Sequence, residues 1–550
     1  TKTSINEALL HTLFGDGDLN PGLVDQRSAL IDAFDEVKIL DPACGSGAFP
    51  MGALHKINLA LQKLDPEAKV WKEKQLSKIE NVAYRNALKD KLDKSNVDYV
   101  RKIGIIQHSI YGVDIQPIAT EISKLRSFLS LVVDENIDDT ESNRGIYPLP
   151  NLEFKFVTAN TLIGLSKQSI ASATQIGVGF DFSGVSNDLN ELQATRDKYL
   201  QSFGEEKESL KNDFIMIQKR IAKKEYSSKA GGNNPTAQQI ISWNPFAHES
   251  SGWFNPRWMF GVNQFDIVIG NPPYIQLSKQ NDPEYDYKQK LKKEFGTSGG
   301  RLNTFIFFIH QGMNLAKDGG AITYIVPNTI LTQEYYAYTR EFILKNTKIK
   351  KIVNYEGLPF ENAVVENVTL ILEKGKLEHY DIEIVIDNLK SPKSIGLKNR
   401  DQFLSEYKYN FNTRFNGIVD KILGVRHTQL GDLCNINQAI ALKGDKSLSL
   451  HSANKNGEYY KLLDGRNINK YSITWSGVYF DFNISRIHSC KRKDIFQAKE
   501  KLLFRRVSSK LIFAYDADQY FALNTLVVIT AKNNINSNLK YLLAILNSKL

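Results

Sequence analysis

"FDIVIGNPPY" (residues 265–274) decides how this chain reads. A largely apolar run of strand character stops on an asparagine, two prolines and a tyrosine. Proline lacks an N–H and has a fixed φ, so a sheet ladder ends where it stands. What that ending supplies is chemistry. An amine attached to an aromatic ring is a poor nucleophile, because its lone pair is delocalised into the ring. Two acceptors aimed at its hydrogens favour a more tetrahedral nitrogen with the lone pair free. The Asn271 side-chain oxygen can be one acceptor. The Pro272 carbonyl can be the other, its direction fixed by the restricted φ angles of Pro272 and Pro273. Tyr274 offers a ring face on which a base can stack, worth about 1–3 kcal/mol in comparable settings. No catalytic His, Cys or metal is required. The plain alternative is a strand-end turn that happens to contain Pro-Pro.

Two upstream segments bear on that choice. "VKILDPACGSGAF" (37–49) reads as a strand, a glycine-containing turn and the start of a helix with Leu54, Ile57, Leu61 and Leu64 at helical spacing. Such a turn lets backbone approach a ligand near a helix N-terminus. It is neither a GxxxxGK[ST] loop nor a GxGxxG fingerprint. Asp41 stands at the strand end, where a carboxylate can hold an ammonium or a water; a tight turn with a helix cap is the alternative. "SIYGVDI" (109–115) is a second strand, and its terminal Asp114 is placed to take both hydroxyls of a ribose. A carboxylate favoured by a helix dipole is the competing reading. Pro117 then opens a helix, on which Ile118, Ile122, Leu125, Leu129 and Val132 form one apolar stripe. "LEFKFVTAN" (152–160) is a third strand.

Strands alternating with helices imply a doubly wound, mostly parallel α/β sheet. Residues from about 166 to 255 interrupt the rhythm with a charged, sparsely apolar stretch that reads as a helical hairpin insertion. "SSKAGGNNPTAQQ" (227–239) follows as a flexible loop. After the NPPY strand come a helix around "NTFIFFIHQGMNLA", a stop at Gly319-Gly320, and strands at "AITYIVP" (321–327), "KIKKIVNYEG" and "ENVTLILEK". Beyond about 425, short β-like runs alternate with polar loops and basic clusters. The expected domains are therefore 1–425 and 426–550.

The 550 residues suit two to four domains, and a 42% hydrophobic, 24% charged composition is that of a soluble globular protein. No apolar run is long enough for a membrane span, and no signal pattern opens the chain. Cys44, Cys434 and Cys490 are isolated, which argues against a disulfide framework and a zinc site and fits a reducing cytoplasm. The net charge of +9 permits a nucleic-acid partner without demanding one. A start at Thr1 and an end on the apolar-periodic "YLLAILNSKL" without a cap suggest a fragment of a longer protein.

With these motifs in this order, the sequence resembles the S-adenosylmethionine-dependent adenine-specific DNA methyltransferases of the gamma class. "FDIVIGNPPY" and the long insertion are similar to the methyltransferase part of type IIG restriction–modification enzymes. The resemblance covers residues 37–375 clearly and 425–550 loosely. It implies a seven-stranded Rossmann-like methyltransferase sheet with a C-terminal mixed α+β recognition domain, and S-adenosylmethionine as cofactor. It places Asp41, Ala43, Gly45 and Gly47 around the methionine part, Asp114 on the ribose and Ile115 against the adenine ring, with Pro42 and Phe49 also among the cofactor-binding residues. Asn160 stands where the family usually has an aspartate. Asn271, Pro272, Pro273 and Tyr274 would hold the target adenine, with Phe360 as the second stacking ring or, equally, a core phenylalanine. The partner implied is double-stranded DNA with base flipping. Lys491, Arg492, Lys493, Arg505 and Arg506 are the candidate DNA contacts, a nuclease domain or subunit lying outside this segment. NPPY also occurs in RNA and protein-glutamine methyltransferases, so those substrates, and a catalytically weak specificity module, stay open.

Overall fold

The computed structural model describes residues 7–548 except 16, 80–81, 95, 136–138, 141–143, 145–150, 166–185, 203, 228–234, 278–284, 297–301, 361–364, 416–424, 426–427, 455–456 and 533–537. It falls into two units, Thr1–Phe415 and Asn416–Leu550. In the first, β1 (Ile39–Asp41) leads through the glycine turn into α1 (Ala48–Leu64), and β2 (Ile110–Asp114) into α2 (Pro117–Val132). β3 (Phe156–Thr158) precedes three insertion helices, α3 (Ser186–Gln201), α4 (Gly204–Ser227) and α5 (Pro235–Ser242). β4 (Phe265–Gly270), α6 (Tyr285–Phe295), α7 (Thr304–Leu315) and β5 (Ala316–Pro327) follow. The sheet is completed by β6 (Thr347–Tyr355), β7 (Asn367–Lys374), β8 (Asp381–Asp387) and β9 (Pro392–Asn399).

These strands form one sheet in the order β3-β2-β1-β4-β5-β7-β6-β8-β9. From β3 to β5 all neighbours are parallel, while β7 runs antiparallel between β5 and β6. The expected seven strands are therefore extended to nine. The apolar alternation of "DIEIVID" pairs β8 parallel to β6, and β9 returns antiparallel at the edge. Successive strand residues feed two separate cores. Leu40, Tyr111, Val113 and Val157 pack on one face, and Ile39, Ile110 and Phe156 on the other. Both faces are thus covered, as a doubly wound sheet requires.

Three local expectations change. On α2, Ile118, Ile122, Leu125 and Leu129 are exposed, and Thr120, Ser123, Lys124, Ser127 and Leu131 face inward. Small hydroxyl residues let this helix approach the glycine turn: Ser123 Oγ donates to the Gly45 carbonyl at 3.0 Å, and the Thr120 and Thr158 hydroxyls lie 2.7 Å apart. Within the insertion, the flexible loop expected at 227–239 contains α5, begun by Pro235 where a helix needs no N–H. Gln218 on α4 donates to the Ile240 and Trp243 carbonyls, and rings of Phe154, Tyr199, Phe214 and Phe246 cluster beneath these helices. The expected stretch 166–185 lies outside the described residues. Finally, Gly319-Gly320 does not stop a helix. α7 ends at Leu315, and the glycines sit inside β5, where the register with β4 jumps from Phe265↔Ala316 to Ile267↔Ala321.

The second unit is β-rich. One antiparallel sheet runs Cys434–Gln438, Leu526–Ala531, Lys501–Arg505, Phe513–Asp516, and a second four-stranded sheet includes Tyr460–Leu463 and Phe521–Ala522. The helix Leu539–Leu546 packs Leu539 and Leu543 against Leu502, Phe513 and Ile529. Contrary to the uncapped end expected, Asn547 caps it and exchanges hydrogen bonds with both the N–H and the carbonyl of Phe513. No helix among the described residues is long and apolar enough to cross a membrane.

Candidate active site

The parallel strands β1, β2, β3 and β4 all end at one edge of the sheet; β1 and β2 end on Asp41 and Asp114, and β3 and β4 lead into Asn160 and Asn271. At the end of β1, Asp41 is 2% exposed and its Oδ1 accepts the Ala43 N–H at 3.0 Å. Burial pushes this carboxyl up to about 8, against the Ala43 N–H and with the negative charge of Asp114. Gly45 and Gly47 have φ of +52° and +83°, left-handed values that glycine adopts without strain. A Cβ at Gly47 would also fall 2.9 Å from Ser123 Oγ. The turn is pinned from two sides. Cys44 N–H donates to the Val113 carbonyl, and Gly45 N–H to Asp114 Oδ2, both at 2.9 Å.

Asp114 is half-buried, and its other oxygen, Oδ1, accepts the Gln116 N–H at 2.9 Å. Each carboxylate oxygen accepts one backbone N–H and keeps a further lone pair for a ligand hydroxyl. Ile115 beside it is 54% exposed, an apolar surface available to a ring. Past β3, Asn160 is half-buried; its Oδ1 accepts the Leu162 N–H at 3.1 Å and its side chain lies 3.4 Å from the Tyr287 hydroxyl on α6. Pro42 is buried, with its carbonyl accepting from Thr161 Oγ1 at 2.7 Å, while Ala43 and Phe49 are half-buried.

The NPPY strand end touches this turn directly. A Cβ at Gly270 would stand 2.6 Å from Asp41 Oδ1, so only glycine lets β4 pass the carboxyl. Next in the chain, Asn271 is half-buried, Pro272 buried and Pro273 exposed. Thr304, opening α7, donates its hydroxyl to the Pro273 carbonyl and accepts the Ile275 N–H at 3.0 Å, which anchors the motif from the far side. No donor among the described residues reaches the Pro272 carbonyl. The Tyr274 hydroxyl lies 2.5 Å from Asn271 Oδ1 and 2.9 Å from the Ile325 carbonyl, and it accepts from Asn367 Nδ2 at 3.1 Å. Burial pushes this phenol up, the Asn367 contact pulling the other way. Phe360, 37% exposed, stands in the connection from β6 to β7, which leaves the same edge.

The basic candidates of the second unit are less uniform. Arg492 is ion-paired with Asp494 at 2.5 Å, and Lys493 lies over the Tyr460 ring at 4.6 Å. Arg505 turns back to donate to the Ile468 carbonyl at 2.6 Å. Lys491 and Arg506 are exposed.

Comparison with known proteins finds likenesses to both parts of this arrangement. Residues 108–360 match the Eco57I restriction-modification methylase family, and residues 460–550 a TaqI-like C-terminal specificity domain. RM.MjaORFECS2P of Methanocaldococcus jannaschii, assigned as a type II restriction enzyme and methyltransferase, is 26% identical over 95% of this chain and 46% of its own length. The type II restriction enzyme and methyltransferase RM.Eco57I of Escherichia coli is 24% identical over 37% of this chain and 21% of its own. The chain thus spans less than half the length of these curated relatives. Among solved structures, the type IIL restriction-modification enzyme MmeI, in complex with DNA, shares the fold with a TM-score of 0.50 at 11% identity, over 98% of this chain and 61% of that one.

The methylase match contains Asp114, Asn160, the NPPY motif and Phe360, whereas the Asp41 turn precedes it. All five basic candidates fall within the specificity-domain match. Reading the sequence missed Tyr287, Thr304 and Asn367, which hold motif residues from α6, α7 and β7. Only Asn367 left a signal, as a polar residue opening the apolar strand run "VTLIL".

Proposed function

We propose that this chain transfers a methyl group from S-adenosylmethionine to the exocyclic amine of adenine in a specific DNA sequence, as part of a restriction–modification system. The observation that carries the reading is the contact between two strand ends: the Asp41 turn and the NPPY motif meet at Gly270. A donor and an acceptor held there would be neighbours, the condition a direct transfer needs.

The residues of the turn fit the cofactor. Asp41 and the glycine backbone would take its methionine part, the free lone pairs of Asp114 its ribose hydroxyls, and exposed Ile115 its adenine ring. When bound, S-adenosylmethionine supplies an electrophilic methyl group. Asn271 Oδ1 and the Pro272 carbonyl accept the two hydrogens of the target amine, holding its lone pair toward the turn. Tyr274, and Phe360 from the β6–β7 connection, stack the base once it has left the duplex, a step costing a few kcal/mol. Lys491 and Arg506 are the cations free to meet phosphates, while Arg492, Lys493 and Arg505 would first exchange their present partners. Burial of Asp41 with Asp114 nearby keeps its carboxyl at about 8 without ligand, and the cofactor's ammonium would favour the ionised form.

What favours DNA over RNA or protein glutamine is the pairing of a restriction-modification methylase match with a specificity-domain match in one chain. Incubation with labelled cofactor and DNA tests the proposal. Labelled adenine is expected with the wild type, reduced about 100-fold or more by Asn271→Ala, by analogy with loss of one stabilising group in other enzymes. Undiminished labelling by that variant would remove Asn271 from the mechanism.

A further inference from the structure

Asn367 is 2% exposed and is the first residue of β7. Because β7 runs antiparallel between β5 and β6, its N-terminus arrives at the edge where the parallel strands end, paired with Pro327. There its Nδ2 donates to the Tyr274 hydroxyl at 3.1 Å, while its Oδ1 is buried without a hydrogen-bond partner among the described residues. The phenol has one proton and faces two further oxygens, Asn271 Oδ1 at 2.5 Å and the Ile325 carbonyl at 2.9 Å. The Ile325 carbonyl can only accept, and so can the Asn271 side-chain oxygen. A donor from Asn367 therefore occupies a lone pair of the phenol and turns its proton toward those two acceptors.

We propose that Asn367 is a positioning residue for the target-amine site: through the Tyr274 hydroxyl it fixes both the Asn271 amide oxygen and the hydroxyl end of the Tyr274 ring. The assignment rests on the reading of Asn271 and Tyr274 given above. Stability alone does not ask for an asparagine here. A buried acceptor without a partner is unfavourable, and an apolar residue opening the strand would avoid it. The unpaired oxygen accompanies a donor that the catalytic motif uses.

Three contacts on one hydroxyl also anchor the outer end of the ring. Tyr274 meets Phe305 edge to face, with centroids 6.2 Å apart and planes at 84°, a contact that depends on the plane of the ring. Rotation of the ring about its long axis would leave the hydroxyl in place. Displacement of the hydroxyl, by contrast, breaks the link to Asn271. Loss of the Asn367 donor thus loosens the amide oxygen first and the stacking face second.

The test is a double-mutant cycle in the full chain, read by methyl transfer to DNA, by cofactor affinity and by thermal unfolding. Asn367→Leu removes donor and orphan acceptor together; Asn367→Ala repeats the measurement without added bulk should leucine not fit. In the wild-type background a fall of about tenfold in kcat is expected, with KM for DNA and the Kd for S-adenosylmethionine unchanged. With Tyr274→Phe already present, Asn367→Leu should lower kcat by less than about twofold more, because the hydroxyl through which it acts is gone. Wild-type kcat in both Asn367 variants would overturn the assignment, as would an equal fall in kcat with and without the Tyr274 hydroxyl. A wild type that labels no adenine overturns the function proposed above instead, and is told apart by the unfolding arm. There, coupling between Tyr274 and Asn367 persists whatever the substrate.

Discussion

The strand-end edge of the sheet and the basic segments of the C-terminal unit are built on opposite terms. At the edge, every motif side chain or carbonyl that faces the site is either fixed by a named bond or conspicuously free: Asp114 by two N–H groups, Tyr274 by three oxygen or nitrogen partners, the Pro272 carbonyl by none among the described residues. In the C-terminal unit, three of the five candidate cations already have partners of their own, and the other two are exposed. A site that stabilises a reacting amine depends on atoms held within tenths of an ångström. A surface that meets phosphates depends mostly on charge, and charges can be rearranged. The first kind of site is therefore sensitive to single substitutions, the second to their sum.

The comparison is sharpened first at Asp114. Replacing it by alanine removes the proposed ribose acceptor and also the carboxylate that pins the Gly45 N–H, so cofactor affinity should fall by about 100-fold, the cost of two charge-assisted hydrogen bonds. Calorimetry with S-adenosylmethionine reads this directly. A change under about threefold would mean that the turn holds its ligand without Asp114. Next in size is Tyr274→Ala, which removes a stacking face worth about 1–3 kcal/mol and should lower turnover on DNA by roughly tenfold to a hundredfold. The same variant should leave cofactor affinity unchanged.

Asp41 breaks the comparison in another direction, because its geometry costs stability. The carboxyl is held at about 8 by burial against an ordinary 3.8, so the folded chain binds this proton more tightly than the unfolded one. Stability then falls as pH rises from about 4 to about 8, the window between the two values. Asp41→Asn keeps an acceptor for the Ala43 N–H and removes the titration. Its melting temperature should exceed the wild type's by several degrees at pH 7.5 and converge with it near pH 4. Equal melting temperatures at both pH values would show that the free carboxyl is not destabilised. The smallest effect belongs to the surface cations. Arg506→Ala should weaken DNA binding a few-fold and lower the salt slope by about one ion, whereas Arg492→Ala, whose guanidinium is already spent on Asp494, should change both less. A larger effect from Arg492 would mean that its ion pair opens on binding.

Most of the edge was legible in the sequence because its requirements are backbone requirements. A strand that stops on Asn-Pro-Pro, and glycines at left-handed turns, carry geometry in the residue type itself. Asp114 was legible from its place at a strand end. The α2 stripe misled because periodicity gives a helix but not the side it turns inward. Here close approach to the Gly45–Gly47 turn selects Ser123, and contact with Thr158 on β3 selects Thr120, over Ile118 and Ile122. Beyond the polar start of its strand, Asn367, like Tyr287, could not be assigned a partner, since their partners lie 93 and 127 residues away and only the sheet order brings them together. The β8–β9 addition was missed for a related reason: two short alternating runs do not say which sheet they join.

The strand-end pair at Gly270 is proposed to methylate the exocyclic amine of adenine in DNA. This activity is tested most directly by digesting DNA to nucleosides after incubation with isotopically labelled S-adenosylmethionine and the chain, and locating the label by mass spectrometry. Label in N6-methyldeoxyadenosine, and far less of it with Asn271→Ala, is the predicted result. Label in a methylated cytosine, or in RNA or protein glutamine while DNA stays unlabelled, would contradict it.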